Sequence, residues 1–188
     1  MKLFLFDLET TDVSENSGIH QISGRIIIEG EVKETFNFHV APHAGASINP
    51  KALEVCGVTL EQIQAYSPMQ EVFPQVVAML DKYIDKYDKK DKFFLVGYNN
   101  SHFDNSQFRH WFTLNGFQYF GSYFWSNSLD CMVLATPRLI AQRAAMQDFK
   151  QKSVARALGI EVDDTKLHDA SYDIGLCHQI YDKVCGLY

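Results

Sequence analysis

The sequence predicts an α/β domain built on a mixed sheet, with three antiparallel strands followed by strands that alternate with helices. Three observations carry this expectation. The first forty residues read as three extended segments, the first apolar on both faces and the third alternating with period two, from Asn49-Pro50 onward the apolar spacing is helical, and one short apolar run, KFFLVGYN, interrupts that helical half. At 188 residues the chain suits a single domain spanning residues 1–188, large enough to bury a core without disulfides.

The first strand is expected over residues 2–8. Phe4, Phe6 and Leu8 share one face and Leu3 and Leu5 the other, so both faces are apolar, as in the centre of a sheet. Asp7 and Glu9 continue the second face. A second strand covers residues 19–28, and Glu29-Gly30 supplies a two-residue turn into a third. There Val32, Phe36, Phe38 and Val40 are expected inward and Lys33, Thr35, Asn37 and His39 outward, with Glu34 breaking the inward set. Thr59-x-x-Gln62 is a capping-box pattern, and a longer helix is expected over residues 69–87. Its end, DKYIDKYDKKDK, mixes lysine and aspartate evenly and reads as a solvated helix end and loop. After the strand KFFLVGYN, Ser101 is a suitable N-cap for a helix that Asn115-Gly116 stops. Residues 129–159 are expected to be mainly helical, with Pro137 starting or breaking a helix and Gly159 ending one. The last helix runs from near Asp169, with Ala170, Ile174, Cys177, Tyr181 and Val184 as its buried seam.

The composition, 46% apolar and 21% charged, is that of an ordinary soluble protein. No apolar stretch approaches membrane-spanning length, and the four apolar residues before Asp7 are too few for a signal-peptide core, so a cytoplasmic location without membrane contact is expected. The four cysteines fall outside any C-x-x-C spacing and read as reduced, mostly core residues. A formal charge of −6 argues against a general nucleic-acid coat.

Three segments place carboxylates where a core or cleft should be. Asp7 and Glu9 extend a strand buried on both faces, where an unpaired charge is costly. Asp104 has two readings: Ser101-x-x-Asp104 fits a capping box, yet Asp104, Phe108 and Trp111 also stack along an apolar helix face. Asp173 borders the seam of the final helix, and His168 belongs to the loop entering it. Phe103, Phe108 and Trp111 are expected mostly in the core.

Together, FDLETTD, NNSHFD and HDASYD resemble the three motifs of the DEDDh (DnaQ-like) 3′→5′ exonucleases, which have a ribonuclease H-like fold. The resemblance covers nearly the whole chain. It includes the H-x-A-x-x-D pattern from His168, Asn100 four residues before Asp104, and SLDCM at Asp130. Leu8 and Asp12 stand where a threonine and a glycine are common in proofreading subunits, and Asn99 replaces a frequent histidine.

The resemblance implies that Asp7, Glu9, Asp104 and Asp173 hold two divalent cations, Mg²⁺ or Mn²⁺. His168 would act as general base on the attacking water. It further implies that Leu8, Thr10, Thr11 and Asn100 cradle the terminal nucleotide. The expected reaction is metal-dependent release of nucleoside 5′-monophosphates from the 3′ end of single-stranded nucleic acid, DNA favoured over RNA, in a DNA-repair or proofreading setting. The alternatives are an RNA-trimming exoribonuclease of the same family, or an inactive nucleic-acid-binding or polymerase-associated module. All five residues of the site are present, which favours the enzyme.

A polymerase or a second copy of the chain is an allowed partner, although no polymerase-tethering tail follows the last helix and a stand-alone enzyme is preferred. The run from Pro137 to Ala157 carries Arg138, Arg143, Lys150, Lys152 and Arg156 against Asp148, and reads either as a phosphate track or as an ordinary helix surface.

Overall fold

The computed structural model describes residues 1–167 and 170–186. Strands β1 (Lys2–Thr10), β2 (Ile19–Ile28) and β3 (Glu31–His39) form the antiparallel meander. The short strands β4 (Phe94–Gly97) and β5 (Leu129–Asp130) add to β1 in parallel, giving the order β3-β2-β1-β4-β5. The mixed sheet is therefore as the sequence predicts, with β1 at its centre. The edge strand β5 was not expected, because two residues carry no periodicity.

Helices cover both faces of the sheet. Phe4, Phe6 and Leu8 pack with α3 (Met69–Asp81) and α4 (Asp104–Leu114) into a core rich in phenylalanine, where the Phe108 ring stacks on Phe4 at 5.7 Å. Leu3 and Leu5 face α5 (Cys131–Leu139), α6 (Gln151–Ala157) and α7 (Ala170–Cys185). Ile174, Cys177, Tyr181 and Val184 of the expected seam are buried there, joined by Leu176 and Ile180; the Ala170 side chain lies outside the described residues. All four cysteines are free thiols, Cys131 and Cys177 buried and Cys56 and Cys185 half-buried. No helix of the described residues is long and apolar enough to cross a membrane.

Elsewhere the structure corrects the sequence reading. Ile26 pairs with Glu34 but Ile27 with Val32, so a bulge at Lys33 flips the register and leaves Val32 45% exposed rather than inward. Glu34 takes the inward period instead, where it accepts hydrogen bonds from Tyr83 (3.0 Å) and Lys82 (3.2 Å). The helix expected over 69–87 ends at Asp81. Beyond it the side chains of Asp85, Asp88 and Asp91 accept from the backbone N–H groups of Tyr87, Lys90 and Asp85, competing with helical pairing.

Residues 129–159 are mainly helical, as expected, but in separate pieces. α5 and α6 are separated by irregular chain, and Pro137 sits inside α5. The expected capping box after residue 58 is present, as α2 (Leu60–Gln64) with reciprocal Thr59 and Gln62 bonds. α1 (Pro50–Cys56) is capped by Asn49.

Candidate active site

β1 and β4 run parallel and their carboxyl ends open on the same side, the place where ligands sit in such sheets. Period two does the rest. The face that Leu3 and Leu5 bury against α5, α6 and α7 continues as Asp7 and Glu9 once the apolar packing runs out. These two carboxylates, together with Asp173 from the first turn of α7 and Leu8, line a cavity of about 370 Å³. Its far wall is the start of α6, Lys150 to Lys152, and Leu167.

Asp104 joins from the other side of β1. Its helix does not begin with a Ser101 cap. Phe103 occupies the cap position with no side-chain bond, and Ser101 turns away to donate its hydroxyl to Asp130 Oδ2 at 2.6 Å. Asp130 also accepts from the N–H groups of Asn99 (2.9 Å), Ser101 (3.3 Å) and Met132 (2.9 Å). One buried carboxylate at the end of β5 thus holds the loop that delivers Asp104. The loop needs two unusual backbone positions: Asn99 is left-handed (φ 59°), and a Cβ on Gly97 would lie 2.8 Å from the Asn100 side chain.

The acids are electrostatically one group. Burial, and then Asp104, Glu9 and Asp173 in turn, hold the Asp7 carboxyl well above the usual carboxylate range. Burial pushes Asp104 up to about 7, with Glu9 and Asp130 adding to the rise, while backbone N–H groups of Asp104 and Leu8 partly offset it. Four carboxylates from three distant segments therefore meet around Asp7. Among the described residues, no three His, Cys, Asp or Glu side chains converge closely enough to form a preformed metal cage.

The donor chemistry nevertheless fits a hard divalent cation, because the groups at hand are carboxylate oxygens. The nearby sulfur is Cys56, which donates to Glu9 Oε2 at 3.1 Å, and burial first and then Glu9 push its thiol up to about 12.

The nucleotide-cradle residues divide. Leu8 lines the cavity. Thr10 donates its hydroxyl to the Asp12 carbonyl at 2.8 Å. Thr11 is fully buried, donating to the Ser47 carbonyl (2.6 Å) and accepting from the Gly18 N–H (2.8 Å), so its side chain braces the site from within and has no surface for a nucleotide. Asn100 is likewise buried and donates to Asn105 Oδ1 at 3.1 Å. His168 lies outside the described residues; Leu167, the residue before it, lines the cavity.

Sequence reasoning missed Cys56 and the structural role of Asp130, and it treated the basic run as one surface. The structure splits that run. Arg138 donates to the Val184 carbonyl (3.3 Å), Arg143 lies over the Phe149 ring (5.0 Å) and Arg156 pairs with Asp164, whereas Lys150 and Lys152 line the acidic cavity. Gln151, between them, donates to the Asp173 carbonyl at 2.7 Å and joins α6 to α7 at this point.

The fold is shared with solved structures of E. coli exonuclease I. Its zinc-bound complex with single-stranded DNA superposes with a TM-score of 0.77 at 19% identity, covering 98% of this chain and 40% of that one. Its complex with a dT13 oligonucleotide gives 0.74 at 18%, covering 99% and 42%, and the ExoI/SSB-Ct complex 0.73 at 18%, covering 98% and 41%. This chain thus spans about two-fifths of the length of those proteins, and at such identity the likeness concerns the fold. No curated protein matches the chain by sequence. The exonuclease family model RNase_T matches residues 4–181, a span that runs from β1 through Asp173 and into α7. The chain belongs to the exonuclease family.

Proposed function

We propose that the chain is a single exonuclease domain that removes nucleoside 5′-monophosphates from the 3′ end of single-stranded nucleic acid. The observation that carries this reading is the gathering of Glu9, Asp104 and Asp173 around Asp7 at the carboxyl end of the central strand, where Asp7, Glu9 and Asp173 line one cavity. Two divalent ions, Mg²⁺ or Mn²⁺, would neutralise the acids and supply activation of water and stabilisation of the leaving oxygen. The chain's own part is to hold and orient. Asp7, beside the other three acids, would be a ligand held in common, with Glu9 and Asp173 holding one ion and Asp104 the other. His168 takes the proton of the attacking water. Leu8 gives the terminal nucleotide an apolar wall, and Lys150 and Lys152 neutralise its phosphate from across the cavity.

DNA is favoured over RNA. The exonuclease I structures that share the fold include complexes with oligodeoxynucleotides. A cytoplasmic setting is in keeping with the free thiols.

The test is degradation of 3′-labelled and 5′-labelled single-stranded DNA and RNA with Mg²⁺ or Mn²⁺, against a chelator control and Asp7→Asn. Metal-dependent loss of the 3′ label first, as mononucleotide, is expected. Endonucleolytic fragments, loss from the 5′ end, or metal-independent cleavage would refute the reading.

A further inference from the structure

The loop and helix start that carry Asp104 to the acidic group also line a second cavity. Asp104 itself is held against β1, where its charge acts on Asp7 and its carboxylate accepts the Leu8 N–H. Ser101 and Asn105, which flank it in sequence, line the second cavity, of about 330 Å³, with Ser106, Arg109, Trp125 and Ser128. The two cavities have opposite chemistry. None of the second cavity's lining residues is acidic, and its one charged side chain is Arg109, in a protein whose net charge is −6.

Arg109 is arranged to bind something. Its guanidinium lies over the Phe120 ring at 4.5 Å, which leaves its N–H edge for an acceptor in the guanidinium plane. It makes no side-chain hydrogen bond or ion pair among the described residues. The Ser101 hydroxyl is already donated to Asp130 and that of Ser106 to the Phe103 carbonyl (2.7 Å). That leaves Arg109, the Asn105 amide and the hydroxyls of Ser126 and Ser128 as donors toward the cavity. Trp125, stacked on Phe94 at 5.9 Å, is half-buried and supplies an apolar wall. Donors without a carboxylate, beside an aromatic wall, match a phosphate joined to a sugar and a base.

We propose that this second cavity binds an internal phosphodiester of the same strand whose 3′ end enters the acidic cavity, so that the Asp104 loop lies between two contacts with one substrate. The inference rests on the exonuclease reading for the identity of the strand. Its test needs no turnover.

Binding of a fluorescein-labelled oligothymidylate is followed by anisotropy in chelator across a salt series. Arg109→Ala is expected to weaken binding on the order of tenfold and to lower the slope of log affinity against log salt by about one. Arg109→Lys should recover part of the affinity, and unchanged thermal melts would show that the variants fold. The protein has two tryptophans, and Trp111 is only 3% exposed, so unlabelled oligothymidylate should change a fluorescence signal that Trp125→Phe abolishes. Wild-type affinity and salt slope in Arg109→Ala would overturn the proposal. So would an equal Trp125 response to thymidine monophosphate or inorganic phosphate, which would make the cavity a site for free phosphate. A protein that binds strands through Arg109 yet never shortens them would sink the exonuclease reading and leave this contact standing.

Discussion

Replacing Asp104 with asparagine should make the cation-free protein more stable. The Asp104 carboxyl is pushed from its ordinary 3.8 to about 7 in the fold. A carboxyl raised in this way penalises the folded state when it ionises. The penalty is absent below about pH 4, grows between pH 4 and 7, and is complete above 7. Moving it from 3.8 to about 7 corresponds to about 4 kcal/mol at pH 8.

Solvent reaching the neighbouring cavity screens part of this. With about half retained, Asp104→Asn should gain about 2 kcal/mol at pH 8, or roughly 4–8 °C for a chain of this size. The amide oxygen can still accept the Leu8 N–H, so the substitution removes charge with little loss of hydrogen bonding. The assay is thermal unfolding in chelator at pH 4.5 and pH 8, with Mn²⁺ added in a parallel series. The variant should melt higher than wild type at pH 8 and close to it at pH 4.5, and Mn²⁺ should raise wild type more than the variant. Equal melting at pH 8, or a variant that responds to Mn²⁺ as wild type does, would refute the idea that the acids are held together against their own repulsion for a cation.

Other expectations follow from the same geometry. His168→Ala should lower metal-dependent turnover on single strands by roughly 10²–10⁴-fold while leaving oligonucleotide binding in chelator unchanged; full turnover would remove the base assignment. Asp130→Ala strips the acceptor from three N–H groups and the Ser101 hydroxyl, so it should cost about 2–4 kcal/mol in denaturant unfolding and slow hydrolysis by loosening the Asp104 loop. Stability without loss of rate would show that the loop needs no such anchor. Phe108→Ala empties the centre of the aromatic core one turn behind Asp104 and should cost about 3–5 kcal/mol, measured by urea unfolding; a cost under about 1 kcal/mol would contradict its place in the packing.

Much of the molecule can be read from local chemistry. The unbroken apolar run in β1 declares a strand buried on both faces, and its period of two puts Asp7 and Glu9 on one side. Thr59 and Gln62 specify a capping box through atoms three residues apart. These features depend on near neighbours, so one stretch of sequence contains their cause. Glu34 and Val32 exchange places because of a bulge that exists only in the pairing of β3 with β2. Ser101 abandons the helix it would cap because Asp130, far along the chain, offers its hydroxyl a charged acceptor. The basic run has no single meaning in sequence, because packing sends Arg138, Arg143 and Arg156 to other partners and leaves Lys150 and Lys152 at the acids.

The amino-acid order by itself determined the antiparallel meander, the central strand and the acidic residues as candidates, since periodicity and motif spacing are local properties. Only the tertiary structure decided that Asp104 comes from another helix to act on Asp7, that Thr11 and Asn100 brace the site from within, and that residues flanking Asp104 in sequence line an arginine-bearing cavity. Those outcomes are set by which distant side chains meet, where burial and charge act over a few ångströms of space regardless of separation along the chain.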